Sequence, residues 1–339
     1  MSNVQDSNFF AEIFSNDLDF EKTALEIFQF QAKENPVYKN YIEQLKINPF
    51  EIRSIFQIPF LPIQFFKTHH IVTQPQTLNI NPDSYRDQTV FTSSGTTGNE
   101  TSKHYVTDLK IYERSFLKSF ELFYGNIEDY CFLALLPSYL ERKDSSLIYM
   151  SDLLIKKSKH LKSGFYLANI DELHLALQEL EKKNQKTILL GVTYALLDFA
   201  EKFPMKFKHT AIIETGGMKG KRKEMLREEV HEILSYAFGV EKIHSEYGMT
   251  ELLSQAYSNG SGIFFSPPWM KILIRDVNDP MVLVENGKSG GINIIDLANI
   301  YSCSFIATQD LGKKYSDGSF EILGRFDESD LRGCNLMIE

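Results

Sequence analysis

The sequence predicts an α/β fold with a parallel-sheet core, flanking helices and a smaller β-rich unit near the C-terminus. Three observations carry this prediction. Between residues 130 and 251, short apolar runs that read as buried strands alternate with amphipathic helical runs, the pattern of strands joined by crossover helices. Beyond about Tyr257 the helical period gives way to short β segments set between Gly, Asn and Asp turns, which predicts an antiparallel or barrel-like unit. No internal repeat or low-complexity linker divides the 339 residues, a length suited to two or three units or one large α/β domain. The expected division is 1–88 for a helical and irregular N-terminal segment, 89–257 for the α/β core and 258–339 for the β-rich end.

Each element follows from local pattern. Phe10, Ile13, Phe14, Ala24, Leu25 and Phe28 recur at helical spacing and predict two or three helices over residues 8–45. Pro59 and Pro62 punctuate the next apolar stretch, which reads as irregular or short extended structure. Thr89 to Phe91 predicts the end of a strand. A Ser/Thr/Gly loop comes next, then a helical run with Asp108 near its start as a cap. "YCFLALLP", "KTILLGV", "HTAIIETGG" and "EKIHSEYGMTE" read as strands with their turns. "SLIYMSDLLIKKS", "TYALLDFAEKF" and "KEMLREEVHEILSYAFG" read as the helices between them.

Composition removes several function classes. Hydrophobic residues make up 43% and charged residues 24% of the chain, as in ordinary globular proteins. The net charge of -9 argues against a nucleic-acid surface, which needs a basic face. No apolar run approaches the roughly 18 residues that suggest a membrane-spanning helix, so no membrane insertion is expected. The N-terminal "MSNVQDSNFFAEIFSND" lacks the basic start and apolar run of a secretory signal. Three cysteines, Cys131, Cys303 and Cys334, are too scattered for a disulfide framework or a metal site. A reducing cytoplasm is the expected setting. Cys131 and Cys303 lie in apolar strand-like segments and are expected to be buried and inert.

The stretch "TVFTSSGTTGNETSKHYVTD", Thr89 to Asp108, is richest in chemistry. A glycine loop between a strand and a helix exposes backbone N–H groups to phosphate oxygens, and a helix N-terminus adds partial positive charge. The loop is not a Walker A motif, because Glu100 stands where the second glycine is required. Its glycine spacing also fails the dinucleotide fingerprint. On pattern alone, a solvated turn and a phosphate loop both remain open.

Three later motifs bear on that choice. "SSGTTG", Ser93 to Gly98, resembles the phosphate loop of the adenylate-forming superfamily: acyl-CoA ligases, luciferases and nonribosomal adenylation domains. "YGMTE", Tyr247 to Glu251, matches its Tyr-Gly-x-Thr-Glu motif. "TQDLG", Thr308 to Gly312, resembles its Thr-Gly-Asp motif with Gln309 in place of Gly. "GRFDESDLRG", Gly324 to Gly333, resembles its Gly-Arg-x-Asp hinge segment. A narrower resemblance runs from about residue 55 to the end. "IPFLPIQFFK", "LPSYLERKDSSLIYM", "GGINIIDLANIYSCSFIATQDLG" and "RGCNLM" resemble the acyl-protein synthetases. These are the long-chain-fatty-acid–protein ligases of bacterial luminescence complexes, related to phenylacetate-CoA ligases.

The resemblance implies the large-domain fold of adenylate-forming enzymes and a two-step reaction. A carboxylic acid, by this likeness a fatty acid, reacts with ATP to give an acyl-adenylate, and the acyl group then passes to a thiol. It implies that Ser93, Ser94, Gly95, Thr96, Thr97 and Gly98 hold the β- and γ-phosphates. Gly216 and Gly217 would line the adenine pocket, Tyr247 would stack on adenine, and Thr250 would meet the α-phosphate. Glu251 would hold Mg²⁺, a hard cation suited to carboxylate and phosphate oxygens. Asp310 would accept from the ribose hydroxyls and Arg325 would bind ribose or phosphate. Cys334, beside Arg332 and Gly333, would carry the acyl group, with the arginine favouring its thiolate.

The bland readings are turns for the glycines and Asp310, an edge ion pair for Arg325, and a packed or surface thiol for Cys334. Lys103 and His104 read as a solvated polar face, and His69–His70 as structural or surface residues. One departure stands out. The superfamily's small C-terminal domain and its catalytic Lys would follow the hinge segment, whereas this sequence ends at Glu339. Lys219, Lys221 or Arg222, or a partner, is expected to supply the cation. Expected partners are an acyl reductase or an acyl carrier protein. The alternatives are an acyl-CoA or carrier-protein ligase and a non-catalytic subunit that binds acyl groups or nucleotide.

Overall fold

The computed structural model describes residues 12–74, 89–93, 101–137, 144–166, 169–217, 222–223 and 225–326. Two helices open it, α1 (Phe20–Glu34) and α2 (Pro36–Gln44). Asp19 caps α1 through Lys22 N, and Asn35 accepts from Val37 N and Tyr38 N to start α2, satisfying N–H groups that have no partner inside the helix. The proline-punctuated stretch then forms the two-residue strand β1 (Leu61–Pro62) and the short helix α3 (Phe65–Thr68).

The core follows the predicted alternation. Strands β4 (Cys131–Leu135), β5 (Gly164–Phe165), β6 (Thr187–Val192), β7 (Thr210–Thr215) and β8 (His244–Tyr247) lie parallel in the order β8-β7-β6-β4-β5. Helices α5 (Ser146–Ser158), α6 (Ile170–Lys182), α7 (Thr193–Lys202) and α8 (Arg227–Phe238) connect them. Every residue of β4 and β6 is buried, as expected of strands covered on both faces. Helix α4 (Leu109–Tyr124) starts at the predicted cap, where the Asp108 carboxylate accepts from Lys110 N at 2.9 Å.

The C-terminal β-rich part continues the same sheet. Strands β9 (Ala256–Ser258), β10 (Ile263–Phe265), β11 (Met270–Arg275), β12 (Ser289–Asp296), β13 (Phe305–Lys314) and β14 (Phe320–Arg325) extend it in the order β11-β12-β13-β14-β10-β9-β8. All of these pairings are antiparallel, and β1 adds to β13 in parallel. Gly312 sits at the irregularity between β13 and β14. A Cβ there would lie 2.6 Å from the Glu321 carbonyl oxygen, so glycine is what lets these strands close up.

The glycine loop does not join a strand to a helix. It lies within a hairpin of β2 (Thr89–Thr92) and β3 (Lys103–Val106), with Thr92 paired to Lys103. Helix α4 starts only after β3, so the chain does not pass directly from the loop into a helix. The N-terminal helices form part of the core: Phe28, Tyr38 and Phe60 pack around Phe305 of β13. The plentiful aromatics are largely core here. Cys131 and Cys303 are buried as expected, and burial pushes their thiols up to about 11 and about 12. Among the described residues, no helix is long and apolar enough to cross a membrane.

Candidate nucleotide and acyl-transfer site

The residues singled out in three separate motifs converge where the parallel and antiparallel halves of the sheet meet. Tyr247 ends β8, and its hydroxyl donates to Asp310 Oδ2 at 2.7 Å. Asp310 lies on β13 directly opposite Arg325 of β14, and Arg325 Nε donates to Asp310 Oδ1 at 3.2 Å. The pairing brings together residues 63 and 15 positions apart in the chain. Asp310 is 8% exposed, whereas the Arg325 side chain is 73% exposed. The ion pair is therefore solvent-screened and adds little stability, and the guanidinium stays accessible to a ligand. The Tyr247 ring is buried edgewise against Phe264 and Phe320. Burial and the Asp310 carboxylate hold its phenol well above the usual range.

Glu251 belongs to the same cluster. Its carboxyl is 5% exposed, and burial raises its pKa. A hydrogen bond with Ser102 and the charge of Arg325 oppose that rise, while Asp310 adds to it. Ser102 stands at the neck of the glycine loop, where Ser93 N donates to Ser102 O at 3.0 Å and Ser102 N donates to Ser93 Oγ at 2.9 Å. The neck of the loop, the Tyr-Gly-x-Thr-Glu turn and the Asp310–Arg325 pair thus share one neighbourhood. Ser94, Gly95, Thr96, Thr97, Gly98 and Cys334 lie outside the described residues, as do Lys219 and Lys221.

Gly216 follows β7 with φ of +73°, a left-handed conformation that favours glycine. Gly217 beside it borders open space, since a Cβ there would touch nothing within 4 Å. Arg222, expected as a free cation, instead donates to Asp198 at 2.8 Å and Glu201 at 2.6 Å on α7. His69 stacks on Phe65 and His70 meets the Tyr105 ring edge-on, so both pack against aromatic neighbours.

His104, Asn299 and Asp296 hold the turn after β8, and Glu214 ties together the strand and helices beside it. His104 is fully buried, not part of a solvated face. Its Nδ1 lies 2.8 Å from the Thr250 carbonyl oxygen. That oxygen can only accept, so Nδ1 carries the proton. Burial lowers the His104 pKa to about 4, which keeps the ring neutral near neutral pH. Asn299 Nδ2 donates to the Glu251 carbonyl at 2.7 Å. The buried Asp296 carboxylate accepts from Leu253 N at 2.8 Å and Ser254 N at 3.1 Å. On the other side of β8, Glu214 accepts from Thr193 Oγ1 at 2.8 Å, Ser245 Oγ at 3.0 Å and Arg227 Nε at 3.3 Å. These partners come from separate helices, strands and turns and leave no local motif. The only signal in the sequence was polar residues interrupting apolar runs, as in "NIIDLAN".

The donor set suits a divalent cation shared with a phosphate. Among the described residues, no three His, Cys, Asp or Glu side chains form a metal cluster. One enclosed carboxylate, Glu251, stands beside the loop neck, and Mg²⁺ in phosphoryl-transfer sites commonly takes one or two carboxylates and completes its shell with phosphate oxygens and water.

No family model and no curated protein matches the sequence. Solved structures do match. A 2-hydroxyisobutyryl-CoA ligase in complex with 2-HIB-AMP and CoA, in the thioesterification state, superimposes with a TM-score of 0.64 at 14% identity, over 97% of this chain and 69% of that one. An open conformation of the same ligase gives 0.61 at 12% identity, covering 91% and 69%. ATP-bound MatB from Rhodopseudomonas palustris gives 0.53 at 18% identity, covering 70% and 47%. The chain spans about half the length of that MatB structure. At these identities the likeness establishes the fold: the chain has the architecture of adenylate-forming ligases.

Proposed function

We propose that the protein activates a carboxylic acid as an acyl-adenylate at the expense of ATP and passes the acyl group to a thiol. The observation that carries this reading is the convergence of Tyr247, Glu251, Asp310 and Arg325 beside the Ser93–Ser102 neck. In the first step a carboxylate oxygen attacks the α-phosphorus, the bond to the bridging oxygen breaks, and pyrophosphate leaves. The carboxylate is a weak nucleophile and both reactants are anionic, so positioning and charge neutralisation dominate the barrier.

Each residue has a role in that reading. The loop from Ser93 to Gly98 holds the β- and γ-phosphates. Asp310, held by Tyr247 and Arg325, accepts from the ribose hydroxyls, and the exposed Arg325 head group also reaches ribose or phosphate. Gly216 and Gly217 bound the base pocket, with Tyr247 at its wall. Thr250 meets the α-phosphate. Glu251 would hold Mg²⁺, which when bound neutralises charge on the phosphates.

In the second step a thiolate attacks the acyl carbon and AMP leaves with the electron pair of the broken C–O bond. The likeness to acyl-protein synthetases supports a protein thiol, Cys334 or one on a partner such as an acyl reductase or carrier protein, and a fatty acyl group. A second reading, CoA as acceptor, is favoured by the solved ligase that carries CoA. Intact-mass measurement after incubation with ATP, Mg²⁺ and an acid panel separates the two. A covalent acyl adduct that Cys334→Ser abolishes while sparing adenylate formation supports the internal acceptor. Acyl-CoA formed without any adduct supports the second reading.

A further inference from the structure

Arg275 ends β11 and has no part in the roles above. It pairs with Gly291 of β12, and Gly291 pairs with Leu311 of β13. Asn293 pairs with Ala307, so Thr308, Gln309 and Asp310 of β13 stand against the single residue Ile292 and bulge. The guanidinium bridges this bulge. Its Nη1 donates to the Ile292 carbonyl and to Asn293 Oδ1, each at 2.8 Å, and its Nη2 donates to the Thr308 carbonyl at 2.5 Å. A Cβ on Gly291 would lie 2.5 Å from the guanidinium carbon, so the absent side chain leaves the space that the arginine fills. The same carbon lies 5.5 Å from the centroid of the Phe326 ring.

These contacts connect to both Asp310 and Arg325. Thr308 Oγ1 donates to the Ile292 carbonyl at 2.9 Å and accepts from Asp310 N at 3.1 Å, so holding Thr308 also holds the backbone of Asp310. Phe326, the residue after Arg325, donates its N–H to the Gln309 carbonyl at 2.8 Å. Bulges beside active sites re-aim side chains, and this one presents the carboxylate that joins Tyr247 to Arg325. The half-buried guanidinium is costly unless its donors are matched. Two carbonyls and an amide match them, while Asn293 Nδ2 is left buried without a partner among the described residues. The fold thus gives up one amide donor to keep the guanidinium on the bulge. A lysine, a point charge on a flexible stem, does not reproduce this planar fork.

We propose that Arg275 is a positioning residue for the nucleotide: it fixes the bulge at Thr308 and so aims the Asp310 carboxylate at the ribose hydroxyls. This rests on the adenylation reading above and adds to it a residue that acts through another. Binding that is equal in the ground and transition states moves KM and leaves kcat unchanged. Misplacing Asp310 should therefore weaken only those nucleotides that have ribose hydroxyls to offer.

The test is acid-dependent exchange of labelled pyrophosphate into ATP, 2′-deoxy-ATP and 2′,3′-dideoxy-ATP, using the acid of the panel that gives most exchange. Wild type should prefer ATP to the dideoxy form by about tenfold or more in kcat/KM, because a site built to bond a hydroxyl rejects the analogue that lacks it. Arg275→Lys should raise KM for ATP by about tenfold, with little change in kcat and none in KM for the dideoxy form, so the preference collapses. Gly291→Ala keeps the arginine but pushes its guanidinium off the bulge. It should lose the same preference, and it guards against a lysine variant that fails to fold. Variants that keep the wild-type preference, or that lose activity equally on all three nucleotides, would overturn the positioning role and leave adenylation standing. Equal use of all three nucleotides by wild type would overturn the ribose role of Asp310 and this inference together. No exchange with any acid would instead overturn adenylation, and this inference with it.

Discussion

Glu251 carries the sharpest prediction at the scale of single residues. It is the enclosed carboxylate beside the loop neck, and removal of one preorganised electrostatic group typically costs about 10²–10³ in rate. Glu251→Gln should lower pyrophosphate exchange by roughly that factor and raise the Mg²⁺ concentration for half-maximal rate, with an unchanged melting temperature within a few degrees. Exchange unaffected at all Mg²⁺ concentrations would remove Glu251 from the metal role.

Glu246 makes a prediction about stability that is independent of catalysis. Its folded pKa, about 7, lies above the usual value near 4.3. The folded state therefore favours the protonated form. Relative stability from this group is complete below about pH 4.3 and is lost as pH rises through about 7. The groups that face it are Glu214, Tyr112, Tyr124 and Tyr257, none of which supplies a positive charge. Glu246→Gln cannot ionise, so it should gain stability over wild type between pH 5 and pH 8, by about 2 kcal/mol. Parallel denaturant titrations at the two pH values measure this. A constant difference between the two proteins would show that the carboxyl ionises freely.

Among the elements, the turn after β8 depends on side chains from β3 and from the segment after β12. His104 and Asn299 hold the backbone carbonyls of Thr250 and Glu251. His104→Ala would leave the Thr250 carbonyl unpaired, at a cost of about 1–3 kcal/mol, and let the turn move. Exchange should fall by about tenfold in kcat with a smaller change in KM for ATP. Asn at position 104 can place an N–H where Nδ1 was, so His104→Asn should recover most of the rate. A loss that Asn does not repair would mean that ring packing against Phe66, not the hydrogen bond, is what matters.

The strands and helices of the core were legible because each declares itself by local pattern. The fully buried β4 and β6 read as continuous apolar runs, and α4 begins at its Asp108 cap. The glycine loop was legible as a loop and misplaced in context. "KHYV" is too short to signal a strand beside the strong helical run that follows, so β3 was not expected. Asp296, Asn299, His104 and Glu214 were illegible as site supports because their partners lie between 13 and 146 residues away. Tyr247, Glu251, Asp310 and Arg325 were found through motif resemblance. Spacing alone gave no reason to bring them together.

For the whole molecule, the N-terminal helices support the site at second hand. Gln31 Nε2 donates to the carbonyls of Asn299 at 3.0 Å and Ile300 at 2.9 Å, and Asn35 Nδ2 to that of Ser302 at 2.8 Å. The segment they grip presents Asp296 and Asn299 to the turn that holds Thr250 and Glu251. One continuous sheet then carries the register from β8 to β14 that sets Asp310 against Arg325. Fold, turn and ion pair together amount to a single claim, that ATP and an acid meet here and exchange pyrophosphate for acyl. Exchange of labelled pyrophosphate into ATP tests it most directly. Label should appear in ATP only when an acid and Mg²⁺ are both present, and Glu251→Gln should lower its rate by about 10²–10³-fold. Absence of label with every acid of the panel, together with no measurable ATP binding, would contradict it.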